Sequence, residues 1–235
     1  MKKGFLMLCS VVLLFSCQST LEERAQEAVK AELYKNLYDF DSYEPLETKV
    51  DSAFNISVHN SDFMTLMAHS EVFSERLKAL KRIFEAAERD IASWSSLRSY
   101  GGTAAYEYNK AKKERAKTFQ EIKKLEKEFF QWVIQIKRTL KESDGSSFIG
   151  WKVIHKYRVK TRGGIPDLSQ EIYIFSKDFK ELFLSTSAET YHANAQIASL
   201  ILEKYPPEEN LQQAIDNWEK FATEDIVIQI LEASI

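Results

Sequence analysis

The sequence predicts a mainly helical α+β protein: a long antiparallel helical hairpin, a small antiparallel β-sheet and C-terminal helices. Three patterns predict it. Apolar residues recur at steps of four and three from Phe73 to Trp94, and helical spacing returns from Ala111 to Leu140; such seams mark paired helices. The period switches to two across Ile149, Trp151, Val153, His155, Tyr157 and Val159, the signature of a half-buried strand. Helical spacing resumes between residues 187 and 205. Hydrophobic residues are 44% of the 235 and charged ones 29%, while only seven Gly and four Pro occur; the chain is therefore globular rather than collagen-like or low in complexity. A net charge of −3 lacks the basic excess of a general nucleic-acid binder, so no nucleic-acid partner is expected.

The elements follow in order. Lys2 and Lys3 precede an apolar stretch from Phe5 to Phe15. At about a dozen residues it is short for a bilayer span and right for the apolar region of a signal peptide. Leu14-Phe15-Ser16-Cys17 then resembles the lipobox of bacterial lipoproteins, with an aliphatic residue at −3, a small one at −1 and the cysteine that is lipidated. The resemblance implies cleavage after residue 16, a diacylglyceryl thioether on Cys17 and an acylated amine, hence a membrane partner. Several acyl chains at ~0.8 kcal/mol per buried CH₂ hold such an anchor firmly. Cys9 would leave with residues 1–16, and the remainder would carry 30 basic against 35 acidic residues and no free thiol. That excludes disulfides and thiolate chemistry. Gln18 rather than Asp after the cysteine implies the outer membrane, with the periplasmic and surface faces both open.

Residues 17–62 are expected to hold the lipidated end, a short helix and an extended segment. The helix spans Leu21 to Leu37, with Thr20 and Glu23 as a capping box. Tyr38 to Asn60 loses periodicity and is expected to lie extended against the body. Residues 63–142 form the hairpin, whose first helix ends at Gly101-Gly102 and whose second runs from about Ala104 to Lys141, folding back antiparallel. Lys110, Lys112, Lys113, Arg115, Lys117, Lys123, Lys124 and Lys127 make part of that helix basic, with Glu114, Glu121 and Glu126 interleaved; a solvated face is the simpler reading, attraction to phosphate or lipid headgroups the sharper one. Residues 143–235 hold the sheet and the C-terminal helices. A strand over Ile149 to Lys160 has a mainly basic outer face of Lys152, Ile154, Lys156, Arg158 and Lys160. It turns at Gly163-Gly164, returns over Glu171 to Ser176, and Leu182 to Leu184 adds a third strand. Helices follow over Ser187 to Tyr205 and around Leu211 to Phe221, and Ile226 to Leu231 reads equally as strand or helix.

Two further patches carry a family resemblance. Asp39-Phe40-Asp41-Ser42-Tyr43-Glu44-Pro45, and Gly150-Trp151-Lys152-Val153-Ile154-His155-Lys156-Tyr157-Arg158 with the aromatic strand Glu171-Ile172-Tyr173-Ile174-Phe175, are similar to a group of small Bacteroidetes lipoproteins that share an SYEP-like segment and a G-[WY]-x-x-x-H-K-[FY]-R strand. Val159-Lys160-Thr161-Arg162 lacks the Asn usual after the family's Arg, so the turn is expected to differ. The resemblance implies a fold and a compartment and brings no activity.

His155 is the one side chain that invites chemistry, as a base or ligand group oriented by Glu44 or Glu171; against it stands a satisfied histidine on a buried strand face. Tyr43 is expected to fill the gap between the extended segment and the sheet. The four histidines, at 59, 69, 155 and 192, include no i,i+4 pair, so no metal site and no cofactor are expected. No nucleophile elbow or phosphate loop occurs, and no catalytic residue is assigned. The expectation is a non-enzymatic, membrane-anchored envelope protein that meets a protein partner through the hairpin. The alternative is a small-ligand-binding module with a pocket between sheet and helices, lined by Trp151, His155 and Tyr157. An enzyme is the least supported class.

Overall fold

The computed structural model describes residues 19–218. Cys17, Phe221 and the ambiguous segment from Ile226 to Leu231 lie outside them. Helix α1, Leu21–Asn36, starts at the capping box read in the sequence: Thr20 Oγ1 accepts from the Glu23 backbone N–H at 3.1 Å, and Glu23 Oε2 accepts from the Thr20 N–H at 2.8 Å. Its buried face is Ala25, Val29 and Leu33, one residue per turn. A 3-10 turn at Phe40–Ser42 leads into strand β1, Glu44–Phe54, and a second at Ser57–His59 leads into helix α2, Ser61–Ser95. Asn60 Oδ1 caps α2 by accepting from the N–H groups of Asp62 and Phe63. Helix α3, Gly102–Glu142, returns beside α2; its 41 residues make it about 60 Å long. The reversal uses Gly101 and Gly102, both with positive φ, a backbone that costs glycine least. No helix among the described residues is long and apolar enough to cross a membrane.

Strands β2, Phe148–Lys160, β3, Pro166–Ser176, and β4, Leu182–Ser187, complete a four-stranded antiparallel sheet in the order β1-β2-β3-β4. Helices α4, Ala188–Lys204, and α5, Glu208–Asp216, close the described fold. It is mainly helical α+β, as the periodicities predict.

The segment before the hairpin is more than an extended strap: β1 is an edge strand paired along β2. Its sequence gives little alternation because only Ala53 is buried and the other residues are exposed or half-buried, so neither face is consistently apolar; Pro45, which lacks a donor, is tolerated on an edge strand. Register joins Glu44 to Arg158, Glu47 to Lys156 and Asp51 to Lys152, so the basic face of β2 meets an acidic partner strand. Two of these pairs close to ion-pair distance, Arg158–Glu44 at 3.7 Å and Lys152–Asp51 at 3.5 Å. Each exposed pair contributes a few tenths of a kcal/mol to about 1 kcal/mol.

The sheet is a middle layer. One face carries Val153, Tyr157, Tyr173 and Phe175 and packs under α1. On the other, Ile172, Ile174 and Leu184 join Phe63, Met67, Trp132, Val133 and Ile136 of the hairpin and Tyr191, Ala198 and Ile201 of α4 in the main core. The expected basic outer face of β2 is therefore interrupted: Ile154 is covered by the bundle, and the exposed basic residues, Arg158 and Lys160, stand towards the strand's far end. Where α4 and α5 add a further layer, α3 is buried on more than its seam, with Trp132, Val133, Ile134 and Ile136 all inside. The Trp132 indole N–H donates to the Leu66 carbonyl at 2.7 Å. Further out, the core between α2 and α3 narrows to Phe84 and Ile122, flanked by Leu77, Leu80 and Phe119. Beyond it the hairpin is an arm of about 30 Å, counting from Ile122 to Gly102.

Candidate functional site

The SYEP segment and the β2 motif meet beneath α1. His155 is fully buried on β2. Tyr43, at the start of β1, brings its hydroxyl within 2.8 Å of His155 Nε2, and Thr48 of β1 brings Oγ1 within 2.9 Å of Nδ1. One ring nitrogen of the neutral imidazole donates and the other accepts, and the two hydroxyls take the complementary roles. Burial drives the imidazole pKa down to about 4 and pushes the Tyr43 phenol up to about 12. Neither group exchanges a proton near neutrality.

The orienting carboxylate expected from Glu44 or Glu171 is absent. Glu44 pairs with Arg158. Glu171 sits directly across the ladder from His155, but its oxygens accept from the hydroxyls of Tyr157, at 3.0 Å, and Tyr173. Burial, reinforced by that carboxylate, raises both phenols. Two neutral hydroxyls thus take the place the sequence reading gave to a charge. Tyr43 fills the gap between β1 and the sheet, as expected, stacking on Phe40 and touching the rings of His155 and Tyr157. Tyr43→Phe should cost about 1–2 kcal/mol by orphaning His155 Nε2. Urea unfolding checks this, and an unchanged midpoint refutes the bond.

The ligand pocket expected at Trp151, His155 and Tyr157 is filled by protein. The side chains of Ala25, Val29 and Leu33 occupy the space over Val153 and Tyr157. Trp151 lies apart, stacked parallel to Phe179, edge-on to Phe148, and donating its indole N–H to the Lys177 carbonyl at 3.0 Å. Arg158 is exposed, on the face opposite His155. The three predicted residues line neither the cleft beside Glu126 nor the one beside His59.

A different carboxyl stands out. Glu126 of α3 is 6% exposed, and among the described residues neither of its oxygens has a hydrogen-bond partner. It borders a cleft of about 410 Å³ between α2, α3 and the C-terminal end of α4. Ser70, Phe73, Ser74 and Leu77 form the α2 wall. Leu125, Phe129 and Phe130 of α3 and Tyr205 beyond α4 complete it. The rings are mutually packed: Phe73–Phe129 at 5.7 Å, Phe129–Tyr205 at 5.8 Å. Burial alone raises the Glu126 carboxyl to about 7. The sequence reading placed Glu126 on a solvated face. The signal against that was spacing: Glu126 lies four residues after Ile122 and four before Phe130, inside the seam. Lys123 is likewise buried, and its carbonyl accepts the Trp218 indole at 3.0 Å. The rest of the basic stretch is largely solvated, with pairs Arg115–Glu88, Lys117–Glu121 and Lys124–Glu128. A third orphaned polar atom is His59 Nε2, beside a larger and more open cleft that reaches Lys177 and Phe183. Its Nδ1 lies 2.8 Å from the Phe54 carbonyl. Among the described residues no group of three or more His, Cys, Asp or Glu side chains is placed to hold a metal.

Compared with protein-family models, curated proteins and solved structures, the chain matches none.

Proposed function

We propose that this chain is a lipid-anchored outer-membrane protein of a bacterial envelope that binds another envelope component through its helical arm and catalyses no reaction. The observation that carries the reading is the arm. Two long helices run outward from the sheet, and their tip presents Tyr100 at 84% exposure, Tyr106 at 64% and Leu97 at 44%. Large exposed aromatic side chains on a rigid support favour protein contact. Beside them Arg98 lies over the Tyr108 ring and donates to its hydroxyl at 2.8 Å, which stiffens the tip. The anchor rests on Lys2-Lys3, the apolar stretch and Leu14-Phe15-Ser16-Cys17, and the likeness to Bacteroidetes lipoproteins points to the same compartment. The non-enzymatic reading is supported by the way polar groups are used within the fold: Tyr43 and Thr48 satisfy His155, and Tyr157 and Tyr173 donate to Glu171.

The test has two parts. Cys17→Ser should abolish incorporation of labelled palmitate and release the chain from the membrane fraction; labelling that persists overturns the anchor. A photo-crosslinking residue at position 100 or 106 should capture one envelope protein reproducibly, while the same residue at position 204 should not. Equal capture from both places overturns the arm as the binding surface.

A further inference from the structure

We propose that the cleft between α2, α3 and the end of α4 is a binding site for a small organic cation with an aromatic or apolar body, its ammonium group held by Glu126. The inference stands apart from the lipid anchor and the arm. A buried carboxyl with two unpartnered oxygens carries a desolvation cost that a hydrogen-bond donor would remove. An ammonium supplies the N–H donors and the opposite charge together, in the strongest form of such a bond. The aromatic wall of Phe73, Phe129, Phe130 and Tyr205 adds cation–π attraction for the head and apolar contact for the body. At about 410 Å³ the cleft falls within the size range of small-molecule sites, roughly 300–1,000 Å³.

Other occupants fit less well. An anion meets a carboxyl and no lining cation. A neutral alcohol satisfies an oxygen and packs its body on the rings, but brings no charge to the carboxyl or to the ring faces. Tyr205 is the other titratable group lining the cleft, and the α2 wall contributes only serines, Phe73 and Leu77. Burial is the cause that raises the Glu126 carboxyl, so an arriving ammonium should release a proton near neutral pH.

Calorimetric titration of the full chain in phosphatidylcholine nanodiscs, against empty nanodiscs, tests the site. The probes are phenethylamine and its neutral counterpart 2-phenylethanol. The amine should bind at least about tenfold more tightly than the alcohol, with proton release seen as a dependence of the heat on buffer ionisation. Glu126→Gln should unfold cooperatively and lose the preference; Ser74→Trp, which fills the α2 wall, should lose amine binding. Equal affinity for both probes, an amine preference that survives Glu126→Gln, or no binding of the amine up to about 10 mM overturns the proposal.

Discussion

Gly150→Ala is expected to cost on the order of 3 kcal/mol or more, enough to leave a domain of ordinary stability largely unfolded on mild warming. Gly150 is buried on β2, between Ala53 of β1 and Ser176 of β3. A Cβ built there would lie 1.9 Å from the Phe175 carbonyl oxygen and 2.9 Å from two backbone carbons. Those atoms belong to the ladder itself and have no rotamer by which to withdraw. Relief requires β2 and β3 to separate where Trp151 and Phe175 meet. The neighbouring irregularity between Ala53 and Phe54 shows that the sheet already bends here, and the side chain is omitted so that the strands can approach. Thermal unfolding by circular dichroism checks the effect. A midpoint within about 2 °C of the parent, equivalent to no more than about 1 kcal/mol for a chain of this length, would mean that the close approach does not exist.

The second large effect is a pair of opposed pH dependences. His155 falls from its ordinary 6.5 to about 4 in the folded chain. The unfolded chain therefore takes up a proton first as pH falls, and stability is lost between about pH 6.5 and 4. Glu126 rises from 4.5 to about 7. Here the folded chain takes up the proton first, and stability is gained between about pH 7 and 4.5. Each displacement is worth about 3 kcal/mol, at about 1.4 kcal/mol per pH unit, and over their shared range the two cancel. His59, lowered by burial as well, adds to the loss. Urea unfolding at pH 7, 6, 5 and 4.5 should therefore give a parent curve that falls only gently on acidification, by the part that His59 adds. His155→Gln should become more stable on acidification and Glu126→Gln less stable, each by about 3 kcal/mol relative to the parent. A variant curve that runs parallel to the parent's shows that the substituted group is not held as described.

These effects also mark what the sequence disclosed. The hairpin, its glycine turn and the capping box at Thr20 were legible because each is set by residues within a few positions of one another. Strand β1 was not, because an edge strand with only Ala53 buried carries little period of its own; its acidic residues fit only once set against Lys152, Lys156 and Arg158, about a hundred positions away. The partners of His155 escaped for the same reason. Their identity depends on the β1–β2 register, which brings Thr48 opposite the imidazole. Glu126 was visible in principle, since its seam position follows from the periodicity of its neighbours, but a charged side chain reads as an exposed one.

The arm is, topologically, the connection between two adjacent strands. Strands β1 and β2 pair along nearly their whole length, yet α2 and α3 are inserted between them. The two ends of the insertion are tied together: the Asn55 N–H donates to the Ser147 carbonyl at 2.8 Å, and the Gly145 N–H donates to the Asn55 carbonyl at 2.9 Å. Lengthening a connection costs little, about 0.6 kcal/mol per doubling for a flexible chain, and a helical pair offsets that with each added heptad. The insertion is thus a ruler whose reach is independent of its mount. Removing one heptad from each helix would draw the tip inward by about 10 Å while leaving the knot at Asn55 and the ladder behind it in place. The distance of the tip from the sheet is set by the count of heptads, not by the sheet that carries them.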